Sequence, residues 1–319
     1  MLARVALRAV FASRPALAVS ARPRLSPLLR TLGMTATLSN GHPPSTLASV
    51  GESIAHMREE EVDRRYRPFL ATKNGEDEPD WVEALELDTA REMQAKEKRV
   101  KVLVLYGSLR QRSFSRLTAY EAARVLARLG ADVRVFDPTG LPIKDDVSDK
   151  HEKVVELRAL SDWSDAHFWC SPEQHGTVTA VFKNQIDWIP LSVGSVRPTQ
   201  GRTVAVCQVN GGSQSFNVVN LLRVLGRWMR MFAIPNQSSI PMAWKQYTSS
   251  DRLLPSSNRD RLVDICEELI KVTLLLRPHF DLLGDRYSER EEKREHGRLR
   301  TQAEVEAAKN TKGAQKDAK

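Results

Sequence analysis

From about residue 99 onward, short apolar runs alternate with segments of helical period. "VKVLVLY" (100–106), "DVRVF" (132–136), "HFWCS" (167–171) and "TVAVCQV" (203–209) each have strand length and are apolar nearly throughout. Between them, "SRLTAYEAARVLARLG" (115–130) brings Leu117, Tyr120, Val125 and Leu129 near helical spacing, and "HEKVVELRALSDWSD" (151–165) does the same for Val154, Leu157 and Trp163. Gly130 is placed to stop the first of these helices. A third helix, "FNVVNLLRVLGRWMRMF" (216–232), precedes a short strand near Ala233 and Ile234, and "NRDRLVDICEELIKVTLLLR" (258–277) reads as a last long helix. Apolar strands alternating with helices predict an α/β domain over residues 99–288, a doubly wound parallel sheet of five strands with helices on both faces.

The flanks read differently. Residues 1–51 form an Arg-rich leader ending in the polar linker "SNGHPPSTLASVGES". Residues 52–98 mix charged helix formers with Tyr66, Phe69, Leu70, Trp81, Leu85 and Leu87, which predicts an arm of short helices that packs on something, a neighbouring subunit being one option. The charged segment 289–319 reads as a frayed helix or a disordered tail.

Charge changes the picture mainly by where it lies. Six arginines, with no lysine and no acid before Glu52, put +6 of the net +8 in the leader and leave +2 for the rest of the chain. A nearly balanced body argues against a nucleic-acid partner. An acid-free leader rich in Arg, Ala, Leu and Ser suits a mitochondrial transit peptide. Its rivals are a disordered arm or an extension ahead of a start at Met34, which would leave a cytoplasmic protein. No run approaches the roughly 20 apolar residues of a membrane helix, so no membrane partner is expected. Cys170, Cys207 and Cys266 are far apart and form no C-x-x-C pair, and the seven histidines are scattered; no metal site is expected.

Open parallel sheets bind ligands beyond the carboxyl ends of their strands. After the first strand comes "GSLRQRSFSR": Gly107 permits a tight turn, Ser108, Ser113 and Ser115 add hydroxyls near a helix N-terminus, and Arg110 can pair with a phosphate. The segment lacks both G-x-x-x-x-G-K-[ST] and G-x-G-x-x-G, which favours a terminal monophosphate over longer phosphate chains. After the third strand, "SPEQHG" offers Pro172, Glu173, Gln174, His175 and Gly176, a loop whose amides can border a flat heterocycle; Glu173 and His175 also have the types of an acid/base pair, though loop polarity explains them as well. After the fourth, "NGGSQSFN" brings Gly211, Gly212, Ser213 and Gln214, a close backbone approach with polar donors beside it.

Together with "FKNQIDWIPLSVGSVRPTQGRTVAV" (182–206) and "LGRWMRMFAIPNQSS" (225–239), these segments resemble the flavodoxin-like NADPH-dependent FMN reductases, and within them the ArsH branch of arsenical-resistance flavoproteins. The resemblance runs from about Asp80 to Arg290. It implies FMN and NADPH as cofactors, with Ser108, Arg110, Ser113 and Ser115 on the FMN phosphate, residues 172–176 beside the isoalloxazine, and Gly211, Gly212, Ser213 and Gln214 lining the flavin. Lys183, Asp187 and Trp188 match the signature "KNxIDW" of the helix and subunit contacts around the flavin. The implied activity takes hydride from NADPH to FMN and on to a small-molecule acceptor. A trivalent organoarsenical would be oxidised with oxygen giving hydrogen peroxide, or a quinone or azo dye would be reduced. A non-catalytic FMN-binding carrier is the alternative from another class. A homotetramer is implied, and the arm at Trp81 with Trp228, Met229 and Met231 suits one, although a Met and Trp stripe at helical spacing reads equally as plain core.

Overall fold

A computed structural model describes residues 46–70 and 80–317, all within one unit spanning Pro43–Lys319. Three helices come first: α1 (Thr46–Ala55), α2 (Glu59–Tyr66) and α3 (Asp88–Ala95). The α/β part follows as β1 (Lys101–Tyr106), α4 (Phe114–Arg128), β2 (Asp132–Val135), α5 (Glu152–Trp163), β3 (Ala166–Gln174), β4 (Thr177–Val178), α6 (Ala180–Trp188), β5 (Thr203–Val209), α7 (Asn217–Trp228), β6 (Phe232–Ile240) and α8 (Ser257–Leu276). Last come α9 (Phe280–Gly284), α10 (Tyr287–His296) and α11 (Gln302–Asp317).

Five strands run parallel in the order β2-β1-β3-β5-β6, the order of flavodoxin-like sheets. Alternate residues of β1, β3 and β5 feed two separate cores. Val102, Val104, Phe168, Ala205 and Cys207 pack with residues of α4 and α8 on one face; Leu103, Leu105, Trp169, Val204 and Val206 pack with residues of α5, α6 and α7 on the other. Burial on both faces explains why these strands read as continuous apolar runs. Gly130 stands just past α4 with φ +94, a left-handed position that glycine adopts without a Cβ clash.

The structure adds to the expectation at the sheet, at the third strand's loop and at the arm, whose partner the sequence leaves open. The sheet has a sixth strand: β3 continues to Gln174 and pairs antiparallel with the two-residue β4, Glu173 opposite Val178 and Gln174 opposite Thr177. The segment read as a loop is thus a two-residue hairpin in which His175 (φ 51) and Gly176 (φ 74) both take positive φ, as a type I′ turn requires. The arm packs on its own chain. Ile54, Val62 and Tyr66 join the core with Phe136 and Trp163, while the Arg67 guanidinium reaches the Asp132 carboxylate (2.8 Å) and the Val133 carbonyl (3.2 Å) of β2. Trp81 packs against the α4/α8 core with the Arg259 guanidinium 4.8 Å from its ring centroid.

The charged tail forms helices α10 and α11 and docks on the turn at residues 193–196. Ser195 and the Arg300 backbone N–H both donate to the Glu292 carboxylate at 2.7 Å, and these bonds hold that carboxyl down at about 2. Gly194, with φ +62, allows the approach, because a Cβ there would sit 2.4 Å from the Arg300 carbonyl oxygen. Residues 1–45 of the Arg-rich leader and linker lie outside the described residues, whereas Thr46–Gly51, expected as linker, form the start of α1.

Candidate functional site

At the carboxyl end of β1 the chain passes under the start of α6 before entering α4. Gly107 N–H donates to the Cys170 carbonyl (3.0 Å), and its own carbonyl accepts from Thr179 Oγ1 at 2.6 Å. Thr179 is also the N-cap of α6, accepting from the Phe182 N–H (3.3 Å). Gly107 does not have positive φ; its role is close approach, since a Cβ would lie 2.8 Å from Thr179 Oγ1 and 2.9 Å from Phe182 Cβ. The expected tight-turn role is thus replaced by a packing one.

Six residues on, Ser113 caps α4. Its hydroxyl accepts from the Arg116 N–H (3.2 Å) and shares a hydrogen bond with Ser115 Oγ (3.1 Å); both serines are buried. Ser108 Oγ accepts from the Arg110 N–H (3.3 Å), and the Arg110 side chain stays at the exposed surface of the loop. The first-turn amides of α4, the hydroxyls and Arg110 make a donor set suited to an anion. Arg112 is engaged elsewhere, on the Asp251 carboxylate (2.8 Å) and the Thr248 carbonyl (3.0 Å).

The ends of β3 and β5 face this loop. Glu173 is fixed by two side-chain donors, Gln208 Nε2 at 2.8 Å and Asn217 Nδ2 at 3.3 Å, and Gln208 Oε1 in turn accepts from the Val219 N–H (2.9 Å). One buried glutamine therefore ties the hairpin to β5 and to the start of α7. The Glu173/His175 acid/base option does not form: His175 is exposed at the hairpin tip, near the Gln174 side chain (3.4 Å). Burial, with Arg202 nearby, pushes the pKa of His167 down to about 3, which leaves it a neutral core residue accepting from Trp169 Nε1 at 3.1 Å. Cys170 is fully buried, and burial beside Cys207 raises its thiol pKa well above the ordinary value, so it is no nucleophile.

A cleft of about 400 Å³ joins these strand ends. It brings together Ser108, Arg110, Ser113, Ser115, Pro172, Glu173, Gln174 and Gly211 of the expected residues. His175 and Gly176 lie beyond its lining at the hairpin tip. Gly212, Ser213 and Gln214 are outside it too and are used structurally: the Gly212 carbonyl accepts from Met242 N–H (2.9 Å), the Ser213 carbonyl from Asn210 Nδ2 (2.5 Å), and Gln214 Nε2 donates to the Ser239 carbonyl (3.2 Å). The "KNxIDW" residues are also apart from the cleft. Lys183 and Asp187 pair on the surface of α6 (2.5 Å), and Trp188, fully buried, donates to the Pro142 carbonyl (2.7 Å).

The cleft adds Arg112, Phe114, Thr179, Val209, Asn210, Ala243 and Trp244. Val209 and Asn210 follow from the strand-end rule once β5 is placed. Ala243 and Trp244 stand after β6, which was expected only near Ala233 and Ile234 but runs to Ile240, so the carboxyl end that aims them was read too early. Asn210 lines the cleft, and its Oδ1 is buried with no hydrogen-bond partner among the described residues.

A parallel α/β sheet with a helix start suited to an anion and a polar-walled cleft at its strand ends defines a flavodoxin-like protein. The family model for NADPH-dependent FMN reductase matches residues 100–245. The chain is 60% identical over 192 residues to the NADPH-dependent FMN reductase ArsH of Shigella flexneri, covering 60% of this chain and 75% of that protein. It is 57% identical over 195 residues to the ArsH of Acidithiobacillus ferrooxidans, covering 61% and 82%. A solved archaeal flavodoxin is similar at 13% identity and a TM-score of 0.39, over 55% of this chain and 99% of that one. The chain belongs to the ArsH family of NADPH-dependent FMN reductases and is an oxidoreductase that uses FMN and NADPH. The expected mitochondrial location is corrected by these relatives, which are bacterial proteins; the cytoplasmic alternative is the one that fits them.

Proposed function

We propose that FMN binds in the strand-end cleft with its phosphate on the α4 N-terminus, and that NADPH and a small-molecule electron acceptor use the site in turn. The observation that carries this reading is the convergence of Ser108, Arg110, Ser113 and Ser115 with the ends of β3 and β5 in one cleft. FMN supplies the hydride and electron chemistry when bound, so no Ser/His/Asp constellation is needed. The chain's own residues anchor and orient. The α4 amides and serine hydroxyls meet the phosphate, Arg110 neutralises it, Pro172 and Gln174 on the hairpin border the ring, and Asn210 Oδ1 accepts from it. Glu173, locked by Gln208 and Asn217, keeps the hairpin at a fixed distance from β5.

Arg110→Ala is expected to weaken FMN binding by about 1.5–3 kcal/mol, the loss of a charge-assisted hydrogen bond, read from flavin absorbance during dialysis or titration. Unchanged affinity would move the anchor to another residue. Purified protein with neither bound FMN nor FMN-dependent NADPH oxidation would overturn the whole reading. Comparing turnover with a quinone and with methylarsenite assigns the acceptor class.

The same reading includes a homotetramer. Its support is an exposed apolar face on α7 and the start of β6, with Trp228 60%, Val224 49% and Phe232 42% exposed. Light scattering is expected to give a mass near four times the 35.9 kDa chain, and Trp228→Glu to lower it; a monomeric wild type would refute the assembly.

A further inference from the structure

Beyond β6 the chain turns back over the cleft as a tongue, residues 241–255, that carries Trp244. The tongue is held from several sides. Met242 N–H donates to the Gly212 carbonyl (2.9 Å) and Ala243 N–H to the Asn210 carbonyl (3.0 Å), which ties its start to the loop after β5. Tyr247 and Thr118 hydroxyls are 2.5 Å apart, and Arg252 meets Glu121 of α4 at 2.6 Å. Arg112 adds the pair with Asp251. Met242 sits in the left-handed region at φ 44, where residues with a Cβ are seldom found.

This support keeps the Trp244 ring on the cleft wall and 57% exposed, with Lys245 Nζ 4.8 Å from its centroid. A large exposed ring on a backbone anchored from several sides is a ready stacking surface for a planar ligand, since the loop that carries it is already ordered. Hydride transfer requires the nicotinamide against the flavin ring, so the adenosine half of the dinucleotide lies outside the flavin's footprint, toward the rim. We infer that Trp244 is the stacking platform for the adenine of NADPH and that Lys245, at the edge of that ring, meets the 2′-phosphate. The inference rests on the FMN reductase reading above. A flexible ammonium beside an aromatic face suits a terminal phosphate next to a stacked base.

The test uses FMN-loaded protein. Trp244→Ala is expected to raise KM for NADPH about tenfold, roughly 1.4 kcal/mol, a larger change than any fall in kcat, while the FMN-to-protein ratio stays at the wild-type value. Trp244→Phe should recover most of the loss. Lys245→Ala should raise KM for NADPH and leave KM for NADH unchanged. An unaltered KM for NADPH in Trp244→Ala would overturn the platform, as would loss of FMN in its place, which would assign the ring to the flavin. Equal effects of Lys245→Ala on NADPH and NADH would remove the 2′-phosphate contact. Should wild-type protein retain FMN and oxidise NADPH while these variants behave as wild type, only this inference fails; a wild type inactive in both respects fails the underlying reading as well.

Discussion

Glu121→Ala is expected to destabilise the protein by about 3–5 kcal/mol, the range for removing one partner of a buried charge pair. Glu121 is completely buried in α4, accepts from Arg252 Nε (2.6 Å), Arg252 Nη2 (3.2 Å) and the Leu253 N–H (3.2 Å), and stands 3.4 Å from the Arg124 guanidinium. Arg124 and Arg252 are themselves nearly buried and repel each other. Removing the carboxylate between them leaves two cations without the charge that reconciles them. Asp80, 2.6 Å from Arg252 and partly exposed, compensates only in part. A urea titration checks this: the midpoint should fall with the slope unchanged. Because the network fastens the tongue to α4, the cleft wall at Trp244 should loosen as well. A loss under about 1 kcal/mol would show that water already screens the cluster.

Gly107→Ala is expected to cost about 1–3 kcal/mol by overpacking and to strip FMN disproportionately. The new methyl would lie 2.8 Å from Thr179 Oγ1, 2.9 Å from Phe182 Cβ and 3.0 Å from Pro172 Cδ. None of these can swing away: Phe182 is fully buried, Pro172 is a ring, and Thr179 is committed to capping α6 and to the Gly107 carbonyl. Relief must come from moving β1 away from the α6 start, and that displaces the β1 loop and the β3 end on opposite walls of the cleft. The flavin-to-protein ratio and the denaturation midpoint should both fall. Full flavin content at a wild-type midpoint would show slack that the packing does not have.

Legibility in the sequence followed how local the cause was. The stop of α4 at Gly130 was readable because positive φ is decided within a few residues, while its start, expected at residue 115, lies one residue earlier behind the Ser113 cap. The end of β6 was not, because "PNQSS" is polar and carries Pro235, so nothing nearby marks it as a strand. Its pairing, Val206 with Gln237 through Val209 with Ile240, comes from β5. His175 and Gly176 fared similarly: His-Gly is a weak hairpin signal, and the hairpin owes its rigidity to Glu173 and to Gln208 from another strand. Glu121 and Arg124 look like a solvated helix face, but the tongue brings Arg252 to Glu121 and the arm brings the Phe69 carbonyl to Arg124.

By itself, the sequence determined the parallel α/β sheet and the three strand ends, those of β1, β3 and β5, whose residues meet in the cleft, because apolar periodicity and turn chemistry act over short stretches. Only the tertiary structure decided that the arm and tail pack on their own chain, that Gly107 serves packing more than turning, and that the tongue brings Trp244 to the cleft. Each of those outcomes depends on contacts between residues tens of positions apart, whose partners no local pattern names.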